Sequence, residues 1–329
     1  MLATILLASS LAFSFDPPVE PLRRDHGPGT SGGGLLTRSA ETLAPNAVTA
    51  SLRLDYTQFE RLSSSDIRSK TFKVYGDHAH FDAVRWTLLE TITLAVGAME
   101  DLELSISFGY YRANDLREGH IHGDGSYGFH EFGDISGSTD TWIEAKGRLF
   151  KGPEGQFAIL GGIKLPFGDD DEIGEDGTRN APLEASLQPG SGAFDAMVGV
   201  AYSRWLSEQA TLDASATFTV RTEEDDYKIG NMFLFGVAAA YRLTEDAQAY
   251  PRTTVFLELI VRHLLPNLED GVQVENSGGT AVFAGPGVRV GFSERVSADL
   301  SVQVPVVQDL YDEQQETDFK VSTGITVSF

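Results

Sequence analysis

The chain has no cysteine among its 329 residues, so it forms no disulfide and offers no thiolate to a metal. Basic residues are scarce: 25 Lys and Arg stand against 48 Asp and Glu, a formal net charge of −23. That balance argues against nucleic acid as a partner, because gripping a phosphate backbone needs a basic footprint. Long hydrophobic runs are also missing. The mostly apolar stretch at residues 2–11 is too short to cross a bilayer as a helix. A mean hydropathy of −0.13 is too low for a helical membrane protein. It still allows a chain that crosses a membrane with strands, since only alternate residues of such a strand meet lipid.

What is present is alternation. Along residues 318–329, Phe319, Val321, Ile325, Val327 and Phe329 share one face with Thr323. Asp318, Lys320, Ser322, Gly324, Thr326 and Ser328 share the other. A period of two is the signature of a strand with one apolar and one polar face. The chain ends on an aromatic residue of that strand, the expected signal, Phe329, for a barrel-assembly machinery.

Twelve such segments are readable: 47–57, 84–96, 102–112, 139–150, 156–167, 193–204, 210–221, 232–243, 253–264, 280–292, 296–306 and 318–329. The seventh is the cleanest, with Leu212, Ala214, Ala216, Phe218 and Val220 alternating with Thr211, Asp213, Ser215, Thr217 and Thr219. About ten to thirteen residues suits a tilted strand that spans a bilayer. The links alternate in length. Short ones lie at 97–101, 151–155, 205–209 and 293–295, with 244–252 the loosest; long ones lie at 58–83, 113–138, 168–192, 222–231, 265–279 and 307–317.

This pattern predicts an all-β fold: a closed antiparallel transmembrane β-barrel of about twelve strands, with short periplasmic turns and long extracellular loops. An even strand number puts both chain ends on the periplasmic side. A soluble β-sandwich is the competing reading of any one strand, but it needs no alternation of loop length. Ahead of the barrel (47–329), residues 1–14 read as a secretory signal peptide cleaved after Ser14. No Lys or Arg precedes Arg23, so the basic n-region of such a signal is absent. Residues 15–46, rich in Pro, Gly, Ser and Thr, read as a flexible periplasmic leader. One residue dissents. Glu90 falls on the face of Trp86, Leu88, Ile92 and Leu94, where a charge would meet lipid unless a bulge re-aims it.

Several stretches carry a family resemblance: 161–168 (GGIKLPFG), 188–192 (QPGSG) followed by Asp195, 201–203 (AYS), Asp226-Tyr227, 276–279 (NSGG) and 302–309 (VQVPVVQD). In order and spacing, over roughly 84–329, these resemble the transporter-type outer-membrane barrels of the phenol-degradation meta-pathway family. The resemblance implies an envelope channel for aromatic or other hydrophobic compounds. It implies no catalytic residue.

The inward faces are strongly charged. Candidates for the lumen are Arg53, Asp55, Arg85, Glu103, Glu144, Lys146, Arg148, Lys164, Asp195, Asp213, Arg221, Arg242, Glu258, Arg262, Arg289, Asp299 and Lys320. They make either a polar conduit whose charges tune selectivity or a salt-bridged interior that fills a narrow barrel. His120, His122, Asp124 and His130 form a candidate metal set, because imidazoles two apart on an extended segment point the same way. Solvated loop residues are the plainer reading. The acidic run 169–172 with Glu175 and Asp176 reads as a solvated loop or as a cation site among lipopolysaccharide groups.

An enzyme is not expected. Tyr56-Thr-Gln58 faintly matches a twelve-stranded outer-membrane phospholipase, but the His-x-Ser-Asn stretch that family needs is absent and no Ser/His pair shares a strand face. No cofactor is expected. The expected partners are outer-membrane lipid and lipopolysaccharide, the assembly machinery and a small-molecule solute. A structural or adhesive barrel acting through its loops is the alternative function.

Overall fold

Period-two patterning leaves each strand with an apolar face that must be covered, and a closed sheet covers all of them at once. The computed structural model describes residues 34–74, 80–152, 154–174, 182–246 and 249–329. The expected signal peptide and residues 15–33 of the leader lie outside them.

The elements in chain order are β1 (Val48–Phe59), α1 (Ser64–Thr71), β2 (His80–Ala83), β3 (Trp86–Met99), β4 (Leu102–Ile121), β5 (Tyr127–Ser138), β6 (Thr141–Gly152), β7 (Gly155–Leu165), β8 (Asp195–Trp205), β9 (Ala210–Arg221), β10 (Tyr227–Lys228), β11 (Met232–Arg242), β12 (Arg252–Leu264), β13 (Leu268–Glu269), β14 (Val272–Gln273), β15 (Gly279–Gly291), β16 (Val296–Leu310) and β17 (Thr317–Ser328). Antiparallel pairing runs β1-β3-β4-β6-β7-β8-β9-β11-β12-β15-β16-β17. It then returns to β1, where Leu52 lies opposite Ile325 of β17 and Ile92 of β3. The chain is thus a closed twelve-stranded barrel, with β2 and β5 added at its rim. Its outer surface is apolar: Leu52, Leu94, Ile106, Ile163, Val198, Leu257, Val302 and Ile325 are all exposed. In water such a belt would be costly; in lipid it is the solvent-matched surface.

Two expectations are corrected at the rim. The link 113–138 is not a loop. β4 continues to Ile121 and returns as β5, so the lower half of β4 pairs with β6 and its upper half with β5. The link 58–83 holds a helix and a strand. Ser63 caps α1: its hydroxyl accepts the Asp66 N–H, and its own N–H donates to the Asp66 carboxylate at 2.9 Å. The Ser63 side-chain and backbone hydrogen bonds hold the Asp66 carboxyl below its ordinary value. α1 buries Ile67 against Phe81, Ala83 and Leu62, and so covers one side of the β2–β4–β5 collar.

Glu90 keeps the register read from the sequence. No bulge interrupts β3 there, and Leu54 and Tyr110 flank Glu90 directly. Its charge is met by Arg112 on β4, at 3.3 Å.

Candidate functional site

Alternation sets which side chains point inward, and the barrel's closure makes them neighbours. Among the lumen candidates, Arg53, Glu103, Glu144, Lys146, Arg148, Lys164, Asp195, Asp213, Arg221, Arg242, Glu258, Arg289 and Asp299 are buried. Asp55, Arg262 and Lys320 are half-buried. Arg85 is a correction: it sits in the bend before β3, exposed, and its carbonyl rather than its charge is used, accepting the Phe59 N–H at 3.2 Å.

The buried charges meet in pairs and triplets. Lys164 bridges Asp140 at 2.9 Å and Asp195 at 2.8 Å, and Arg221 approaches Asp195 at 3.8 Å. Lys146 lies 3.3 Å from Glu103. Arg148 donates to Asp101 at 2.7 Å and to Gln156 at 2.7 Å. Arg53 donates to Asp55 at 2.7 Å, and Ser322 donates to the other oxygen of Asp55 at 2.6 Å. Asp213 accepts from Ser203. On the β12–β17 side the cations lie over rings: Lys320 is 4.1 Å and Arg262 6.0 Å from the centre of Phe283, and Arg289 is 5.9 Å from that of Phe256.

The described part of the expected leader is not free in the periplasm. Residues 34–43 cross the lumen and are almost wholly buried. Leu43 N–H donates to Glu103 at 3.0 Å, Ala40 N–H to Ser203 at 2.8 Å, and Arg38 N–H to Ser215 at 3.0 Å. The Leu36 and Thr37 N–H groups both donate to Glu258, at 2.9 and 2.6 Å. Arg38 and Glu144 form a two-pronged ion pair. An extended backbone lacking strand neighbours must find acceptors somewhere, and the lumen carboxylates and serines supply them. Sequence reasoning missed Arg38 and Glu41, because nothing periodic surrounds them, and passed over Asp140, although it shares the parity of Glu144 and Lys146 at the start of the 139–150 segment.

At the mouth, the loop after β7 folds inward. Leu183 and Leu187 join Phe59, Val84, Tyr111, Leu116, Phe132 and Ile135 in one apolar cluster. Asp169, expected to be solvated, accepts the Ser138 N–H at 2.7 Å. Glu175 and Asp176 lie outside the described residues. Tyr227 hydrogen-bonds Asn267 at 2.8 Å, and burial, with Glu184 nearby, pushes its hydroxyl well above the usual phenol range.

A small cleft of about 60 Å³ lies against the wall, lined by Leu89, Asp140, Trp142, Lys164, Asp195 and Arg221, with Phe108, exposed on the outer surface, at its edge. It sits where β4 exchanges β6 for β5. Ser107 is the last residue paired to β6, Tyr110 the first paired to β5, and Thr139 and Asp140 belong to no strand. An apolar strip runs from Trp142 on this cleft through Leu160 and Met197 to Ala201 and to Ala40 of the crossing segment.

The candidate metal residues divide. His120 and His130 come together, with Glu118 joining them. His122 is exposed at the hairpin end, its ring centre 4.5 Å from that of His120. Asp124 is a correction: its carboxylate turns away to cap the hairpin turn, accepting Ser126 N–H at 2.9 Å and Ser126 hydroxyl at 2.6 Å. Those bonds hold it below its ordinary value.

The family model described as "Putative MetA-pathway of phenol degradation" matches residues 87–309, well over half of the chain. No curated protein matches. Among solved structures, the COG4313 outer membrane channel from Pseudomonas putida F1 is similar at a TM-score of 0.61 and 12% identity, covering 88% of this chain and 98% of that one. The NanC porin (TM-score 0.42, 6% identity, 76% and 97% covered) and the KdgM porin (0.41, 8%, 85% and 99%) are more distant.

Proposed function

The chain belongs to this phenol-degradation family, and from that premise we propose that it is a passive outer-membrane channel for small solutes of aromatic or hydrophobic character. The observation that carries the reading is the change of partner in the wall, where β4 leaves β6 after Ser107 and takes β5 from Tyr110, beside the cleft lined by Phe108 and Trp142. A hydrophobic solute partitions into the apolar belt, enters where Thr139 and Asp140 leave the sheet, and meets an apolar strip inside. A hydrophilic solute travelling straight down the lumen meets residues 34–43 and the ion pairs that hold them. The lumen charges keep that segment in place rather than lining an open polar pore. Phe329, 74% exposed at the end of β17, is where the assembly machinery engages the chain, and lipopolysaccharide surrounds the upper rim.

Two measurements on one preparation test this. Uptake of a fluorescent aromatic probe is followed in intact Gram-negative cells with and without the protein, and conductance of the refolded protein is recorded in a planar bilayer. Faster probe uptake with low conductance is expected. Large, steady conductance steps with unchanged probe uptake would replace the reading with a polar pore. Silence in both, from folded protein, would point to a structural barrel.

A further inference from the structure

We propose that Glu118, His120 and His130 bind a divalent transition cation of the zinc class on the inner side of the extracellular collar. One ligand atom from each residue lies within 4.8 Å of the others. The set is built by register. Glu118 lies directly opposite His130 across the β4–β5 ladder, and His120 follows two residues later on the same face. His120 Nδ1 is 3.1 Å from the Glu118 carboxylate, and the His120 and His130 rings stack with centres 4.9 Å apart.

Two further features fit a ligand set better than a chance ion pair. Opposite His120 stands Gly128, where a Cβ would come within 2.2 Å of His120 Nε2 and 2.9 Å of His122 Nε2. The glycine thus leaves the space into which two imidazoles project. Bulges between Ala113 and Arg117, with Asp115 at φ 58°, reverse the parity of β4. Without them the even positions Leu116, Glu118 and His120 would face outward. With them, these positions continue the inner face of Tyr111 and Ala113, toward the loop carrying Glu184.

The donor set is two imidazoles and a carboxylate, which suits zinc and its first-row neighbours rather than calcium or magnesium. Zinc holds such ligands at about 2.0–2.2 Å, so closing the cluster takes side-chain rotation and no strand movement. A second group, His80, Asp82 and Glu184, lies alongside, with His80 opposite His120 and Asp82 opposite Glu118. Its carboxylates add to the attraction for a cation. An ion on Glu118, His120 and His130 would tie β4 to β5 near the hairpin end, independently of what the barrel transports.

The test is titration of the refolded full chain in detergent with cobalt(II), read by its visible ligand-field bands, and with zinc by calorimetry. One ion per chain with tetrahedral cobalt bands is expected. His130→Gln, and separately His120→Ala with His130→Ala, should weaken binding at least tenfold, while His263→Ala and His80→Ala keep it. Heat-modifiable migration on gels verifies that each variant is a folded barrel; if the double variant fails, His130→Gln carries the test. Absence of saturable binding would overturn the proposal. So would bands that survive in the His120/His130 variants, or bands lost on His80→Ala alone, which would put the ion in the neighbouring group.

Discussion

Arg38 and Glu144 are joined by two parallel hydrogen bonds, at 2.9 and 2.8 Å, between residues 106 positions apart in the chain. Both are buried, so each is satisfied only by the other and by polar neighbours. Removing one partner of a buried pair costs about 3–5 kcal/mol, because the other is left charged without compensation. Arg38→Ala is therefore expected to loosen residues 34–43 and raise planar-bilayer conductance above that of the parent. Conductance equal to the parent would mean the backbone bonds to Glu258 and Ser203 hold the segment alone.

The lipid-face pair makes a second case. Glu90 and Arg112 lie on adjacent strands of the lipid-facing surface, where an unpaired charge is costly. Arg112→Leu should lower stability by about 1 kcal/mol, and replacing both residues with leucine should restore it. Urea unfolding from lipid vesicles, run as a double-mutant cycle, reads the coupling directly. Additive losses would show that the two charges are solvated separately.

Tyr227 gives a pH dependence with a definite sign. Its hydroxyl is raised by burial, so the folded mouth favours the protonated phenol. The stability this contributes is complete below the ordinary phenol value of about 10 and is lost as pH climbs from there toward the raised folded value. Hydrogen exchange of β10 and β13 should quicken in that alkaline window in the parent. In Tyr227→Phe that step should vanish. Exchange with the same alkaline step in both proteins would assign it to another group.

Phe329 tests assembly apart from folding. Its ring is exposed, while its N–H donates to Val48 across the closing seam at 2.9 Å. Phe329→Ala should refold in detergent like the parent yet reach the outer membrane in smaller amounts. Equal amounts in the membrane fraction would remove the residue from recognition.

The strands were legible because a membrane-spanning strand has two different solvents on its two faces. The 210–221 segment coincides almost residue for residue with β9, and 296–306 with the lower part of β16. The collar was not legible, since the bulges around Asp115 break the period at the point where β4 leaves the membrane. α1 left a readable trace in Ser63-x-x-Asp66, a capping box, but one short helix in a long link has too weak an apolar stripe to stand out. Glu118 could have been found by continuing β4 with its parity reversed.

The sequence by itself determined the barrel, its sidedness and the lipid-facing belt, since these follow from local alternation and loop length. Only the tertiary structure decided what fills the lumen. Residues 34–43 carry no periodic signal because they pair with no strand; their partners, Glu103, Glu144, Ser203, Ser215 and Glu258, converge on them only once the sheet has closed. The imidazoles of the collar depend instead on register and two bulges, which place them on one face. Alternation is a property of neighbours in the chain, whereas the crossing segment's contacts are a property of closure and the imidazole cluster is a property of the β4–β5 register.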